Sequence, residues 1–184
     1  TRRSSDLEKE VIRGKLNTAN SLATTSTTRT MQGLRAFITT INSTVTASSF
    51  TANPHLYLGD AWQNVYDQGG SSNETWCVLA GPTRYRDISN LNDTKIEDTS
   101  NIESFKRVVR RYTGPFGSAE VILARTLPNN EVLLVPRERV KVVPLQGRSF
   151  GVQEMGIIGD NRKALLTGEY TLEVHHANAM ARIV

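Results

Sequence analysis

A long stretch of alternating apolar and polar residues near the end of the chain constrains the fold more than any other feature. The stretch runs from Lys163 to His175, with Leu165 as the exception to the alternation. One side of an extended chain would carry Leu166, Tyr170, Leu172 and Val174. Alternation with a period of two is typical of a β-strand that has one buried and one solvent-facing side. A strand of this length would span roughly 40 Å, so the sequence predicts a long structural strand with no catalytic group in it.

The composition is that of a protein with a substantial core and a mild positive charge. Apolar residues make up 38% of the 184 residues, charged residues make up 22%, and the formal net charge is +4. This length suffices for one domain or for two small ones. No apolar run approaches the ~20 residues of a membrane helix and no signal-peptide pattern opens the chain, so we expect no membrane partner.

The first half of the chain predicts helices around one buried strand. Ser5 and Glu8 have the spacing of a capping box, which indicates a helix near Ser5–Arg13. A second short helix is indicated by apolar residues at helical spacing, namely Met31, Leu34, Ile38 and Ile41.

A compact α/β unit is predicted between residues 46 and 95. Asn53 and Pro54 supply an N-cap and a first-turn proline, and the apolar stripe that follows contains Leu58, Trp62, Val65 and Tyr66. An apolar strand is predicted over 75–80, and Tyr85, Ile88 and Leu91 suggest another short helix. We interpret Trp62 and Tyr66 as core residues.

Beyond a polar, acidic stretch at residues 92–101, the pattern changes to that of β-strands. Turn signals separate the apolar runs, which lie at Phe105–Tyr112, Ala119–Ala124, Glu131–Val135 and Val140–Leu145. Helices followed by a β-rich region indicate the α+β class.

The sequence contains no residue pattern typical of an active site. Cys77 is the only cysteine and lies in an apolar strand, where burial makes a thiol a poor nucleophile. His175 and His176 would point to opposite faces of a strand, and a zinc site needs three or four convergent ligands. We therefore predict no catalytic, cofactor-binding or metal-binding residue and expect that the chain is not an enzyme.

The densest basic cluster contains Lys106, Arg107, Arg110 and Arg111. On a strand these residues divide between both faces, so they do not form one continuous patch. A solvated face paired with the acidic residues just upstream explains them at least as well as contact with nucleic acid. A DNA-binding module therefore stays open as a weaker alternative.

Several short motifs in order resemble one family of tailed-phage major capsid proteins. In the second half they are Arg110-Arg-Tyr-Thr-Gly-Pro-Phe-Gly117, Val121-Ile-Leu-Ala-Arg125, Glu131-Val-Leu-Leu-Val-Pro136, Gly159-Asp160 and Glu169-Tyr-Thr-Leu-Glu-Val174 with Ala177-Asn-Ala179. Upstream, Arg29-Thr-Met-Gln-Gly-Leu34 and Tyr66-Asp-Gln-Gly-Gly70 are also similar. Each motif is weak alone, but their order and spacing from about Glu8 to the end are fairly specific.

This resemblance implies a Hong Kong 97-like capsid fold with two domains. A peripheral domain would combine the end of a spine helix with long antiparallel strands, and an axial α/β domain would lie at the centre of the capsomer. The implied division is a peripheral helix and connecting loop at 1–45, the axial domain at 46–101, a peripheral β-sheet at 102–175 and a strand returning to the axial domain at 176–184. The chain begins with Thr1 rather than Met, and the N-terminal arm and extended loop of the family are not present in it. We therefore expect a core that lacks an N-terminal portion.

The implied function is structural. The chain would assemble with copies of itself into the icosahedral shell of a tailed bacteriophage, in the cytoplasm of the bacterial host, and would be located in the virion. Further partners would be packaged double-stranded DNA, held weakly by charge, and other phage head proteins. A tail or baseplate protein is the nearest alternative.

Overall fold

A six-stranded mixed sheet lies at the centre of the structure. The structure is a computed structural model, which describes residues 4–14, 31–90, 111–147, 149–158 and 161–184. The helices are α1 Ser4–Arg13, α2 Leu34–Phe37, α3 Ala47–Ala52, α4 Pro54–Asp67 and α5 Pro82–Ser89. The strands are β1 Ile41–Ser43, β2 Trp76–Ala80, β3 Arg111–Gly114, β4 Gly117–Leu123, β5 Val132–Pro136, β6 Val140–Pro144, β7 Gly151–Ile158, β8 Asn161–Thr167, β9 Tyr170–Val174 and β10 Ala181–Ile183. Short 3-10 turns lie at Arg137–Arg139 and Ala177–Ala179.

The order of strands in the central sheet is β1-β10-β5-β2-β4-β3. β2 runs parallel to β4 and antiparallel to β5, and the last strand of the chain, β10, lies between β1 and β5. The strands from 111 to 136 therefore share a sheet with β2. This pairing differs from the single sheet expected over 102–175, because the apolar runs before and after residue 136 have different partners.

Apolar side chains from β5 enter two hydrophobic cores, one on each face of the central sheet. Val132 and Leu134 belong to a core that α3, α4 and α5 cover, whereas Leu133 and Val135 belong to a core on the opposite face. The second core also receives side chains from α1, α2 and β9. β5 is buried along its whole length because it lies between two layers, which explains its unbroken apolar sequence.

Two local signals in the sequence place their elements correctly. Pro54 is the first residue of α4, where its missing N–H costs nothing because the first amides of a helix have no partner within it. Gly114 and Gly117 face each other across the tight turn that joins β3 to β4, and Gly117 has a φ of +143°. The turn signal at 114–117 therefore marks a true hairpin.

Other local expectations are wrong. The helical spacing predicts Ile41 on a helix, but α2 ends at Phe37. Ile41 lies in β1 and pairs with Ala181 of β10, so tertiary pairing overrides the helical spacing. Tyr66 was expected in the core, but its side chain lies on the solvent side of α4. α1 already includes Ser4, so Ser5 is not its N-cap. Leu91 and the predicted linker at 92–101 lie outside the described residues.

Two glycines hold the backbone together where α1 ends. The amide of Gly33 donates a hydrogen bond of 2.8 Å to the carbonyl oxygen of Gly14. A Cβ added at Gly33 would lie 2.4 Å from the Gly14 nitrogen, and one added at Gly14 would lie 2.2 Å from the Met31 carbonyl oxygen. Only glycine permits this approach of backbone to backbone.

We expect Gly33→Ala to destabilise the fold by about 1–3 kcal/mol, since the atoms that its methyl group would meet are backbone and cannot rotate away. Urea unfolding would measure the change. Gly151→Ala is a suitable control, because its Cβ would lie at an ordinary 3.6 Å from the nearest atom. Equal stabilities of the two variants would contradict the prediction.

Candidate assembly surface

The strands β6 to β9 form one antiparallel ribbon, residues 140–174, which leaves the central sheet after Arg139 and returns to it at His175. Its base pairs β6 with β9, from Val140 opposite Val174 to Pro144 opposite Tyr170. Its tip pairs β7 with β8, beginning with Gly151 opposite Thr167. The ribbon thus consists of two local pairings in succession.

The single strand predicted over 163–175 is wrong, because β8 and β9 separate at Gly168 and Glu169. The Leu145 amide still bonds to the Glu169 carbonyl oxygen at 2.8 Å, but the next paired residues are Gly151 and Thr167. The segment that joins β6 to β7 therefore has several more residues than the segment that joins β8 to β9, which shifts the register between base and tip. A Cβ at Gly168 would lie 3.1 Å from the Tyr170 ring, so glycine suits this crowded point.

The base of the ribbon is packed against the rest of the chain. Leu172 is 6% exposed and belongs to the second core, and Val140 and Val174 pack against the same core from the side. The base is therefore anchored by burial of apolar area, the dominant favourable contribution to folding.

The tip of the ribbon exposes apolar side chains on both faces. Because residues opposite each other in an antiparallel pair lie on the same face, Val152 and Leu166 share one face, and Met155 and Leu165 lie on the other. These four side chains and Phe150 are between 45% and 66% exposed. The ribbon cannot cover both of these faces with its own residues.

No helix or strand of the described part packs extensively against the tip, whose strands contact each other. An isolated two-stranded hairpin is marginally stable at best in water. Contiguous exposed apolar surface on a folded protein commonly marks a contact with another molecule. The tip is therefore the strongest candidate for an intermolecular contact.

Arg139 fastens the ribbon to the central sheet where the two meet. Its guanidinium donates to one Glu74 carboxylate oxygen at 2.8 and 2.6 Å, to the Gly69 carbonyl oxygen at 3.3 Å, and lies 2.9 Å from His176 Nδ1. The Arg139 carbonyl oxygen accepts the His175 amide at 2.8 Å. These bonds connect both ends of the ribbon to the segment between α4 and β2, which fixes the direction in which the ribbon leaves the sheet.

The three histidines lie in different environments. His175 Nε2 is 2.7 Å from a Glu173 carboxylate oxygen, but this pair is exposed. His176 faces Arg139, and His55 Nδ1 lies 2.5 Å from the Tyr112 hydroxyl. Among the residues that the structure describes, no group of three or more His, Cys, Asp or Glu side chains could hold a metal ion.

Cys77 is buried in β2. Burial raises the pKa of its thiol, and the nearby Glu120 carboxylate raises it further. Because the thiolate is the reactive form, this environment suits an inert core residue.

We expect Cys77 to react with a thiol reagent at least about 100-fold more slowly in the folded protein than in denaturant, since an opening that costs ~3 kcal/mol must precede reaction. Absorbance during labelling at pH 8 would measure both rates. Fast labelling of the folded protein would contradict this prediction and would reopen a nucleophilic role.

The predicted basic cluster falls mostly outside the described residues, which include only Arg111 of its four members. Arg111 is exposed and donates to the Ser118 hydroxyl at 2.7 Å across the β3–β4 pair. This bond gives Arg111 a partner within its own sheet. Nothing described supports the DNA-binding alternative.

The sequence did not predict the apolar tip. One signal was present in Leu165, the apolar residue that broke the alternation, because adjacent exposed leucines at 165 and 166 place apolar groups on both faces. A strand with one buried face does not predict apolar side chains that are exposed on both faces.

Comparisons with known proteins agree with a structural role. Residues 4–184 match the family described as SU10 major capsid protein. The capsid structure of the cyanophage P-SCSP1u is similar with a TM-score of 0.52 and 12% identity, over 78% of this chain and 52% of that chain. A virus-like particle from Pyrococcus furiosus is similar with a TM-score of 0.48 and 17% identity, over 82% of this chain and 58% of that chain. A search of curated proteins found no match.

The fold is therefore a Hong Kong 97-like capsid fold of the α+β class, as the resemblance implied. More particularly, the chain belongs to the SU10 major capsid protein family. This family is structural, so the expectation that the chain is not an enzyme is confirmed. The chain spans just over half the length of the two similar structures above. In the described residues no helix is long and apolar enough to cross a membrane.

Proposed function

We propose that this chain is a shell-forming part of a tailed-phage major capsid protein, which assembles with copies of itself around double-stranded DNA. In this proposal the six-stranded sheet with α3, α4 and α5 is the axial domain. The ribbon, with α1 beside its base, is the peripheral domain. Assembly would take place in the bacterial cytoplasm, with other head proteins as further partners.

The exposed apolar tip carries this proposal. A hairpin that no other element of the described residues covers, with apolar side chains on both faces, is stabilised when a neighbouring molecule removes those faces from water. In a closed shell every subunit has copies of itself as neighbours, so the same contact is repeated around the particle.

Contact with packaged DNA would be electrostatic and weak. The net charge of +4 is too small to indicate tight binding. Nonspecific contacts with phosphate weaken as the salt concentration rises, because the release of counterions on binding then gains less entropy. We therefore assign the subunit–subunit contacts, rather than the contact with DNA, the main part in assembly.

Electron microscopy of the full-length gene product, expressed alone, would test the proposal. We expect capsomers or closed particles, together with a high-molecular-weight peak in size-exclusion chromatography. A product that remained monomeric across protein concentration and salt, in the presence of the other head proteins as well, would overturn the proposal.

A further inference from the structure

A half-buried glycine in the middle of α4 is unexplained by packing among the described residues. Gly59 lies in the interior of a helix that runs from Pro54 to Asp67, and a Cβ added to it would have no atom within 4 Å. Glycine is the least favourable helix-interior residue apart from proline, and alanine would fit here without strain. No contact among the described residues therefore explains a glycine at 59.

The surroundings of Gly59 form an exposed stripe with apolar ends. Along α4, the residues Leu56, Gly59, Gln63 and Tyr66 follow one another at intervals of three or four, so the four share one side of the helix. Leu56 is 56% and Tyr66 is 54% exposed. The Tyr66 ring lies 5.7 Å from that of Phe116 in the β3–β4 turn, which extends this apolar surface beyond the helix.

A small residue between two large apolar ones lets a second backbone come close while the flanking side chains bury area against it. The same logic explains the contact between Gly14 and Gly33 inside this chain, where a missing Cβ permits backbone to approach backbone. At Gly59 no described residue occupies the corresponding place, which leaves it open to the backbone of another molecule.

The distribution of charged side chains indicates that the contacting molecule is a second copy of this chain. Asp60 and Asp67 are exposed on α4 beside the stripe, and Arg86 is exposed on α5. None of these three side chains forms an ion pair within the described part of the chain. One chain thus carries acidic and basic groups on separate helices of the same layer, which suits a head-to-tail contact between copies.

We propose that the stripe Leu56–Gly59–Gln63–Tyr66 on α4 is a second subunit contact, distinct from the ribbon, and that its occupant is the α5 side of a neighbouring copy. This inference rests on the proposed shell function. It adds a contact made by the axial layer, with Gly59 at the point of closest approach and the Asp60, Asp67 and Arg86 charges at its border.

Bulky substitutions in the full-length gene product would test the contact. Gly59→Trp places a large ring in the stripe, whereas Glu120→Trp places the same ring at an exposed position of β4, on the opposite face of the central sheet from α4 and α5. We expect Gly59→Trp to reduce the yield of particles at least about tenfold and Glu120→Trp to leave it within about twofold of wild type. Gly59→Ala should raise the melting temperature of the dissociated subunit by roughly 2–4 °C and still reduce assembly.

Charge reversal would test the identity of the occupant. Arg86→Glu and the double variant Asp60→Lys/Asp67→Lys should each impair assembly, and the triple variant should recover a large part of it. Failure of the triple variant to recover would overturn the α5 side as the occupant. Wild-type assembly by both Gly59 variants would overturn the contact and leave the proposed function standing. A wild-type product that never assembles would overturn both.

Discussion

Replacing Leu166 and Val152 with threonine is expected to prevent particle formation at the concentrations at which the wild type assembles, while leaving the folded subunit intact. The two side chains lie opposite each other on one face of the tip and are 52% and 65% exposed. Threonine is β-branched and suits a strand, so the hairpin itself should tolerate the change. The loss concerns apolar area that no described part of the chain buries.

The expected size follows from that area. Full burial of a leucine or valine side chain contributes about 1.5–3 kcal/mol, so the double variant should weaken each contact by about 2 kcal/mol or more. Each 1.4 kcal/mol is a factor of ten in an association constant. The concentration of subunit at which particles appear should therefore rise well over tenfold, as light scattering and electron microscopy would measure.

Leu123→Thr provides the matched control for Leu166→Thr. Leu123 lies in β4 of the central sheet and has the same 52% exposure, but it is outside the ribbon. We expect assembly of this control at the wild-type concentration. Equal effects at 123 and 166 would show that the ribbon has no special part in assembly, and an unchanged melting temperature of the dissociated subunits would exclude misfolding as the cause.

The sequence predicted local structure well where a signal was covalent or strictly local. Pro54 fixed the start of α4, and the two glycines of 114–117 marked the hairpin between β3 and β4, because these residues restrict or widen the allowed φ. The alternation after Lys163 identified extended chain correctly. It could not show that the partner strand changes at Gly168, because pairing depends on residues far away in the sequence.

The limits of sequence reasoning are plainest for the charged residues inside the fold. Glu131 is 1% exposed, and one of its carboxylate oxygens accepts from both Arg35, at 2.8 Å, and Arg182. These three residues come from α2, the turn before β5, and β10, which meet only in the folded chain. Composition shows them as ordinary charges, although they connect three elements.

Arg84 and Arg86 illustrate the same limit within one helix. They are two residues apart in α5 and look alike in the sequence, but Arg84 is 1% exposed and Arg86 points to solvent. The Arg84 guanidinium lies 4.3 Å from the centre of the Phe50 ring. It also donates to three backbone carbonyl oxygens, those of Asn130 at 3.1 Å, Ala47 at 3.4 Å and Val45 at 3.4 Å.

We expect Arg84→Met to destabilise the subunit by about 3–5 kcal/mol, which would lower its melting temperature by roughly 10 °C. Burial lowers the pKa of the Arg84 guanidinium and the Asp87 carboxylate opposes this, yet an arginine stays protonated in a protein. Methionine keeps most of the side-chain length, so the loss of stability would come from missing hydrogen bonds and charge rather than from a cavity. It removes a donor from three carbonyl groups, of which that of Ala47 still accepts from the Thr51 hydroxyl at 2.9 Å, and it leaves the buried Asp87 without its neighbouring cation.

Thermal and urea unfolding of Arg86→Ala supply the control, because an exposed side chain without an ion pair should change stability by no more than about 0.5 kcal/mol. A double variant, Arg84→Met/Asp87→Leu, separates charge from hydrogen bonding. If the buried carboxylate accounts for much of the loss, the double variant will be more stable than the sum of the two single changes predicts. Strict additivity would instead assign the whole effect to the carbonyl bonds and to the contact with Phe50, and a loss below about 1 kcal/mol would show that Arg84 is not needed to join α3, α5 and the turn before β5.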